Sequence, residues 1–320
     1  MTASDLVLGA PVAVRLADWG VIRAKGEDAA SFLNGQLTQE TLRLAPGRVR
    51  LAGYCSPKGR LLASFVVWRV AADEFLLACS ADLLAPTLKR LSMYVLRAKC
   101  RLSDASSELS AWGVALPGIP DAVAGPPIPP APYEVVATGE GTSIRLADAG
   151  GAARVLWLAP AHAVPPWPTT AEPAVWDWLE VQSGVPRVVA KTVEAFVPQM
   201  VNLELVGGVD FKKGCYPGQE IVARSQYRGT LKRRMFLAEG EAAASAGAEI
   251  FAAADASQPA GQIVLAASLP AAGGGARHAA LVEMKRALTE DGAELRVGAA
   301  DGPALRLGEL PYALPADGQE

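Results

Sequence analysis

Hydrophobic residues recur with two different spacings along the first hundred residues. Residues 21–24 are strand-like, and GEDAASFLNGQLT then places its apolar residues on one side of a helix. Two longer apolar runs, LLASFVVWRV and EFLLACS, flank the turn AADE, which predicts a β-hairpin over 61–80. A second helix is predicted over 82–95, where leucines recur at helical intervals after Asp82, a residue suited to the N-cap.

The spacing of hydrophobic residues changes near residue 117 and again after residue 170. PGIPDAVAGPPIPPAP and VPPWPTT are dense in proline, and short strand-like pieces surround them, so we predict a small α+β insert. VWDWLEVQSGVP resumes helical spacing, and beyond Arg234 short β-like runs separated by glycine-containing turns predict an antiparallel barrel or sandwich. The predicted domains are 1–109 plus 171–229, 110–170, and 230–320.

Composition and charge narrow the class of protein. The chain has 320 residues, 51% hydrophobic and 20% charged, which is typical of a globular protein with two or three domains. Its formal net charge of −3 argues against nucleic-acid binding driven by bulk charge. The amino terminus does not have the pattern of a secretory signal, and no uncharged apolar run approaches the roughly 20 residues of a membrane span. The four cysteines lack the spacing of a zinc or cluster site, and free thiols favour the cytoplasm.

The stretch DFKKGCYPGQEIVARSQYRG contains the most suggestive chemistry. A thiol is nucleophilic as its thiolate, which nearby cations or a helix amino terminus favour, and Cys215 follows Lys212 and Lys213 and precedes a predicted helix GQEIVAR. Gly214 and Gly218 permit positive φ or close approach of a ligand to the backbone. A buried, inert cysteine beside a tight turn explains the same residues. Both interpretations remain open at this point.

The same stretch allows two further interpretations. Cys–His catalysis fits poorly, because His162 and His278 lie in no recognisable motif. Within 212–234, seven basic residues are opposed by Glu220 alone, a local net charge of +6. Such a patch could bind carboxylates, phosphates, an acidic partner or RNA, whereas charge runs more often form a solvated face.

Several motifs together resemble a known family. VNLELVGGVDFKKGCYPGQEIVARSQYRGTLKRR resembles the signature of the YgfZ folate-binding proteins, relatives of the glycine-cleavage aminomethyltransferase (T-protein), and KGCYPGQE fits their K-G-C-Y-x-G-Q-E pattern. GEDAASFLNGQLTQE, CSPKGRLL, YVLRAKC and FVPQMVNLE resemble further segments of that family. The resemblance spans roughly residues 20–100 and 175–235.

The resemblance implies a fold and a function. The fold is α+β, a GcvT-like three-module arrangement with a discontinuous α/β first domain, a ferredoxin-like insert and a C-terminal antiparallel β-barrel. The function is that of a tetrahydrofolate-binding accessory protein that supports iron–sulfur cluster assembly or repair, and thereby the radical enzymes that modify tRNA. Its expected partners are folate and iron–sulfur assembly proteins or client enzymes. Membrane association and direct nucleic-acid binding are not expected, and no permanently bound metal is expected.

The resemblance also assigns residues. The functional thiol loop consists of Lys213, Gly214, Cys215, Tyr216, Gly218, Gln219 and Glu220, of which Gln219 and Glu220 are expected to brace the loop by hydrogen bonds. The candidates for folate contacts are Asn34, Gln36, Arg97, Gln182, Asn202, Arg224 and Arg228.

Departures from the T-protein bear on catalysis. Its catalytic aspartate falls at Leu62 or Ala63, its V-V-N-A asparagine at Cys79, and its pterin-holding glutamate at Gln182. An amide can pair with a pterin edge but does not supply the charge of a carboxylate. The prediction therefore leans away from an enzyme, with a folate-dependent one-carbon transferase as the first alternative and an RNA-binding module as the second.

Overall fold

The computed structural model describes residues 8–118, 125–170, 172–227, 231–255, 257–271, 273–290 and 292–315. The strands are β1 Val12–Arg15, β2 Trp19–Lys25, β3 Val49–Cys55, β4 Leu61–Ala71, β5 Glu74–Ser80, β6 Arg101–Asp104, β7 Leu109–Leu116, β8 Val135–Thr138, β9 Gly141–Arg145, β10 Ala153–Pro160, β11 Thr169–Thr170, β12 Arg233–Gly240, β13 Glu249–Ala252, β14 Gly261–Pro270, β15 Ala276–Lys285, β16 Leu295–Val297 and β17 Ala304–Leu307. The α-helices are α1 Ala29–Asn34, α2 Ala81–Met93, α3 Ala174–Gln182, α4 Gln219–Tyr227 and α5 Ala287–Glu290, and 3₁₀ turns cover Ala190–Thr192 and Pro198–Val201. Part of the proline-rich stretch near residue 120 lies outside the described residues.

An antiparallel five-stranded sheet, in the order β3-β4-β5-β2-β6, lies at the centre of the molecule. Alternate residues of β4 enter two different apolar clusters: Phe65 packs with α1 and the barrel, and Val66 packs against the second sheet. Because side chains of a strand alternate between faces, a sheet covered on both sides needs a nearly continuous apolar strand. That requirement explains the run LLASFVVW.

The second sheet has six strands in the order β11-β1-β7-β10-β9-β8, with β1 and β11 parallel and the other pairs antiparallel. It takes in β1, which lies outside the predicted insert 110–170. The secondary structure in the described part of 110–170 is all β. Helix α3 packs on this sheet at Gly113, where a Cβ atom would lie 2.4 Å from the Trp176 ring. A side chain at that position would exclude the helix.

The six strands β12-β15-β14-β13-β16-β17 close into an antiparallel barrel. Buried polar contacts attach the barrel to the preceding segment. The Asn202 Nδ2 donates to the Met235 carbonyl at 2.8 Å, and the buried Arg234 guanidinium is paired with Glu204 and donates to the Gln199 carbonyl at 3.0 Å. The barrel strand β12 is therefore anchored to residues 199–204.

The predicted α+β class and the C-terminal antiparallel barrel are confirmed, and the predicted hairpin corresponds to β4 and β5. The predicted N-cap is wrong. Ser80 occupies the N-cap position of α2 without a side-chain capping bond, and the Asp82 carboxylate, inside the first turn, accepts the backbone N–H of Ala190 at 2.9 Å.

No helix in the described ranges combines the length and the apolar character that spanning a bilayer requires.

Candidate functional site

The segment that precedes the cysteine loop runs along the end of α1. The Thr38 hydroxyl donates to the Gly208 carbonyl at 2.6 Å, and the Asp210 N–H donates to the Thr38 carbonyl at 2.9 Å. The Gln39 amide donates to the Gly207 carbonyl at 2.7 Å. These bonds fix the chain on either side of residue 209 before the loop begins.

Lys213 fastens the loop to the same helix end. Its side chain is 8% exposed, and its ammonium group donates to the carbonyl oxygens of Asn34 and, at 2.7 Å, Leu37. The ammonium nitrogen also lies 4.9 Å from the centre of the Tyr216 ring, an attractive cation–π distance. Burial lowers the pKa of Lys213 to about 8, and Coulombic interactions with Glu40, Asp210 and Cys215 oppose this shift.

The far side of the loop rests on the β3–β4 turn. Gly218 has a φ of +79°, and a Cβ atom there would lie 2.4 Å from the Ser56 carbonyl oxygen and 2.7 Å from the Cα of Gly59. Gly59 also has a positive φ, and a Cβ there would approach the Ile221 Cβ to 2.8 Å. Both glycines are needed for this close approach, so the motifs CSPKGR and KGCYPGQE form one structure.

Cys215 is the exposed thiol of the protein. Cys55 and Cys79 are fully buried, and burial raises the pKa of each to about 12. Cys100 is half-buried, and its pKa is raised to about 11, again chiefly by burial. Because thiol chemistry requires access to the sulfur, Cys215 is the cysteine suited to it.

The expected bracing by Gln219 and Glu220 is wrong. These residues begin α4, Glu220 is exposed, and neither side chain makes a hydrogen bond within the described part of the chain. The buried Lys213 ammonium and the tight glycine contacts hold the loop instead. Tyr216 is buried beneath it, and desolvation raises the pKa of its phenol.

The basic patch of residues 212–234 has fewer exposed cations than the seven basic residues in its sequence. Arg233 is paired with Glu283 and Arg234 with Glu204, and both carboxylates lie outside residues 212–234. Lys213 is buried. The exposed cations among the described residues of this stretch are Lys212, Arg224 and Lys232. Arg228 lies outside the described residues.

A cavity lies where the central sheet, the six-stranded sheet and α3 meet. It has about 40 Å³ of space open to a water-sized sphere, and its open mouth extends the atom-free space to about 520 Å³. Its walls are mostly apolar, with aromatic rings and a few polar groups. The residues that line it are Trp19, Leu51, Ser64, Phe65, Val66, Ala78, Cys79, Tyr133, Leu146, Ala147, Arg154, Glu180, Ser183, Val185, Pro186, Arg187 and Leu203.

One ion pair closes a side of this inter-sheet cavity. The Arg187 Nε donates to one Glu180 oxygen at 2.8 Å and its Nη2 to the other at 2.9 Å, an arrangement that fixes both groups. Arg187 also donates to Asp18 at 2.7 Å and to the Ser80 hydroxyl at 3.1 Å. Negative charge from Glu180 and Asp18 adds to the effect of burial and raises the pKa of Asp177 to about 7.

The positions at which the resemblance places the functional groups of the T-protein are buried in this structure. Ala63 and Cys79 are fully buried in the apolar cluster between the central sheet and the barrel. Gln182 is buried as well, and its Nε2 has no hydrogen-bond partner in the described structure. Cys79 lines the cavity, and Gln182 adjoins its wall residue Ser183.

The predicted folate contacts are distributed over several parts of the molecule. Asn34 and Gln36 lie at the end of α1, beside the cysteine loop, where Lys213 donates to the Asn34 carbonyl. Asn202 joins the barrel to the first domain, and Arg97 and Arg224 are exposed. None of the described members of the predicted set lines the inter-sheet cavity, although Gln182 and Asn202 each precede a lining residue, Ser183 and Leu203.

Sequence reasoning missed Tyr133, Arg154, Glu180 and Arg187 as cavity residues. A signal for one of them was available: Arg154 is the charged residue of the otherwise apolar run ARVLWLAP. A lone charge in a fully buried strand requires a partner. Nothing in the sequence indicated which elements would supply one.

Comparison with known proteins fits this architecture. Residues 14–122 match the GCVT N-terminal domain family. The chain superposes on the glycine cleavage system aminomethyltransferase T of Bartonella henselae with a TM-score of 0.67, covering 95% of this chain and 86% of that one at 14% identity. The chain thus has the fold of the glycine cleavage aminomethyltransferase.

Sequence relatives identify the family more closely. The tRNA-modifying protein YgfZ of Edwardsiella ictaluri is 32% identical over 247 residues, 72% of this chain and 71% of that protein. YgfZ of Photobacterium profundum is 33% identical over 244 residues, covering 72% and 70%. An uncharacterized protein of Haemophilus influenzae is 31% identical over 225 residues, covering 70% and 72%. The chain belongs to the YgfZ family of tRNA-modifying proteins.

Proposed function

We propose that this protein is a folate-binding accessory factor for iron–sulfur proteins that serve tRNA modification, with Cys215 as its functional thiol. Membership of the YgfZ family supports the link to tRNA modification. The observation that carries the proposal is the exposed Cys215 thiol on a loop held from beneath by Lys213. A flexible surface cysteine would need neither the buried ammonium group nor the paired glycines.

The loop suits a thiol that acts on a partner protein. Cys215 is accessible, whereas Cys55, Cys79 and Cys100 are wholly or partly withdrawn from solvent. An iron–sulfur cluster needs several thiolates, so Cys215 would act together with ligands that a client or assembly protein supplies. The cluster is then the cargo of the complex and not a resident group of this chain.

Complementation tests the role of the thiol. In cells that lack the protein, Cys215→Ser should fail to restore the modified nucleosides that iron–sulfur enzymes make in tRNA, measured by mass spectrometry of digested tRNA. Cys100→Ser is the matched control and should restore them. Full restoration by Cys215→Ser at wild-type expression would show that the thiol has no functional role.

In this proposal folate binds at the inter-sheet cavity, whose walls would have to move apart to admit the ring, since the space open to a water-sized sphere is about 40 Å³. Small-molecule sites are mostly apolar and provided with a few polar groups. Trp19, Phe65 and Tyr133 offer aromatic surface, and Arg154 offers hydrogen-bond donors. The unpartnered Nε2 of the buried Gln182, which precedes the lining residue Ser183, is the second group that we propose for a pterin edge. A bound folate would supply the one-carbon or redox chemistry of its pterin, and these residues would bind and orient it.

Calorimetric titration tests the ligand. Tetrahydrofolate, or the more stable 5-formyl derivative, should bind, and Gln182→Leu should weaken binding by roughly tenfold, as expected for loss of one buried hydrogen bond. Gln226→Leu, on α4 and outside the cavity lining, removes a half-buried glutamine amide elsewhere and is the control that should bind as the wild type does. Absence of measurable binding to the wild-type protein would remove folate from the proposal and leave the thiol role standing.

A further inference from the structure

Cys215 lies on a surface to which two segments of the chain contribute. The turn of residues 57–60 packs against the start of α4, since a Cβ atom on Gly59 would lie 2.8 Å from the Ile221 Cβ and 3.2 Å from the Gly218 carbonyl oxygen. The Phe211 ring, just before the loop, meets the ring of Tyr227 on α4 edge-on at 5.9 Å. We call the exposed side chains of residues 57–60 and 212–227 the cysteine face.

The cysteine face is positively charged. Its exposed charged residues are four cations, Lys58, Arg60, Lys212 and Arg224, and one carboxylate, Glu220. The whole chain, in contrast, has a formal net charge of −3. The positive charge is therefore a local property of the surface around the thiol.

Most of this charge is not neutralised by the protein itself. The Arg60 guanidinium donates to the Glu194 carbonyl at 3.2 Å, whereas the other three cations have no side-chain partner in the described ranges. The neighbouring carboxylates Asp210 and Glu40 interact electrostatically with the buried Lys213 ammonium. Exposed cations that lack internal partners are available to the carboxylates of another molecule.

Apolar side chains stand among these charges. Ile221 is 40% exposed and Tyr227 is 68% exposed. An open hollow on α4 has about 610 Å³ of space open to a water-sized sphere, and the described residues that line it are Glu220, Ala223, Arg224 and Tyr227. Tyrosine and arginine are the residues that most often anchor protein interfaces, and the hollow has room for a partner side chain.

These features favour a protein over RNA as the occupant. Affinity for nucleic acid comes chiefly from many phosphate contacts, and the cysteine face offers four exposed cations with Glu220 among them. Single-stranded RNA is bound by stacking its bases on aromatic rings, a contact that the aliphatic Ile221 does not provide.

We propose that the cysteine face is the docking surface for an acidic segment of a partner protein, in which carboxylates lie beside an aromatic or aliphatic side chain. The carboxylates pair with Lys58, Lys212 and Arg224, and the apolar side chain covers Ile221 and Tyr227. This inference rests on the proposed function, which gives Cys215 a partner protein, and it adds the surface and the chemistry of the segment that binds.

Thiol–disulfide exchange measures the charge around Cys215 directly. The probes are 3,3′-dithiodipropionate, which carries two carboxylates, and cystamine, which carries two ammonium groups, used on the Cys100→Ser protein. The Cys215 thiolate attacks one sulfur of the reagent, a mixed disulfide forms, and the other half leaves as its thiolate. Relative to N-acetylcysteinamide in the same buffer, Cys215 should prefer the anionic reagent by at least about fivefold. Added salt should reduce this preference.

Charge reversal tests which residues create the preference. Lys58→Glu and Arg224→Glu should each reduce it, and Arg306→Glu should leave it unchanged. Arg306 is the matched control, since it is exposed on the barrel strand β17. Absence of a preference in the wild type, or equal preferences in all three variants, would overturn the proposal. The wild-type comparison needs no variant, so it decides the question even if a variant does not fold.

Complementation tests docking itself. Arg224→Glu and Tyr227→Ala, at wild-type expression, should lower the level of the dependent tRNA modifications by at least about fivefold, as expected for interface anchors. Arg306→Glu should restore them. Full restoration by both face variants would overturn the docking surface and leave the proposed function intact. Restoration by Cys215→Ser would instead remove the thiol role on which the inference rests.

Two binding measurements show whether the face serves another ligand. Filter binding of unfractionated tRNA should detect no complex that Arg224→Glu abolishes, and such a complex would assign the face to RNA and overturn the proposal. Titration with 5-formyltetrahydrofolate should give the same result for Arg224→Glu and the wild type. Loss of folate binding in this variant would assign Arg224 to the folate and remove it from the docking surface.

Discussion

The ammonium group of Lys213 is buried, and two carbonyl oxygens and the face of the Tyr216 ring replace water around it. A buried ammonium group is costly unless it is hydrogen-bonded, so few arrangements of residues 213–216 satisfy it. The conformation of the loop that presents Cys215 therefore depends on a residue that does not reach the surface.

Removal of this ammonium group should destabilise the protein. We expect Lys213→Met to lower the free energy of unfolding by roughly 1–3 kcal/mol, since two buried carbonyls lose a charged donor. Lys212→Met, at the exposed neighbouring position, should change it by less than about 0.5 kcal/mol. Urea denaturation of both variants measures the difference, and equal effects would contradict the role given to Lys213.

The glycines of the loop are not equivalent. Gly218→Ala should destabilise the protein by at least about 1–2 kcal/mol, because its φ is +79° and its new Cβ would meet the Ser56 carbonyl at 2.4 Å. Gly214→Ala should stay within about 0.5 kcal/mol of the wild type, since its nearest neighbour, the Asn34 amide nitrogen, would be 3.8 Å away. Thermal denaturation of the pair tests this. A Gly218→Ala protein as stable as Gly214→Ala would show that the two loops do not pack as described.

At the scale of elements, α3 brings charge to the place where the two sheets meet. Asp177 and Glu180 lie on this helix, and the pKa of Asp177 is raised to about 7 by burial first and then by the neighbouring carboxylates. The native state therefore holds this proton more tightly than the unfolded chain, whose carboxyl has the ordinary value of 3.8. Stability that is fully present below the unfolded pKa is lost as the pH rises through about 7.

The isosteric variant Asp177→Asn should reveal this loss. Below pH 4 it should match the wild type, and at pH 8 it should be the more stable protein, because it has no carboxylate to ionise. Glu172→Gln, exposed just before the same helix, should not alter the pH profile. Unfolding free energies between pH 4 and pH 8 test the claim, and parallel curves for wild type and Asp177→Asn would refute it.

Local pattern predicted the elements better than it predicted their contacts. The hairpin β4–β5 follows from two apolar runs and a turn, and these signals are local. Asp82 had the chemistry of an N-cap, but the fold brought the distant Ala190 N–H within reach of its carboxylate. Tertiary packing decides whether the Asp82 carboxylate accepts a hydrogen bond from its own helix or from a distant residue. The sequence around Asp82 carries no information about that packing.

At the scale of the whole molecule, Asn202 joins the barrel to the rest. Its φ is +57°, a conformation that asparagine and glycine tolerate, and its amide pairs with the backbone of Met235. Glycine adopts this positive φ without strain, so Asn202→Gly keeps the backbone conformation and removes the side-chain amide. It should cost roughly 1–3 kcal/mol and speed hydrogen exchange in β12, with β4 as the internal reference. Unchanged exchange in β12 would show that the barrel is held by other contacts.

The two candidate sites differ in how far the sequence could predict them. The cysteine loop is continuous in sequence, so its motif could be recognised there. The direction of the Lys213 side chain could not be predicted from the same residues. The inter-sheet cavity is assembled from Phe65, Tyr133, Arg154 and Glu180, which lie on separate segments. No local pattern links such residues, and their proximity appears only when the two sheets pack.

The most direct test of the central claim, that the fold leaves Cys215 as the reactive thiol, is the alkylation rate of each cysteine in the native protein. Iodoacetamide treatment followed by peptide mass spectrometry gives all four rates in one experiment. We predict that Cys215 reacts at least about 100-fold faster than Cys55 and Cys79, since those require local opening that costs about 3 kcal/mol or more. Comparable rates for Cys215 and the two buried thiols would contradict the account.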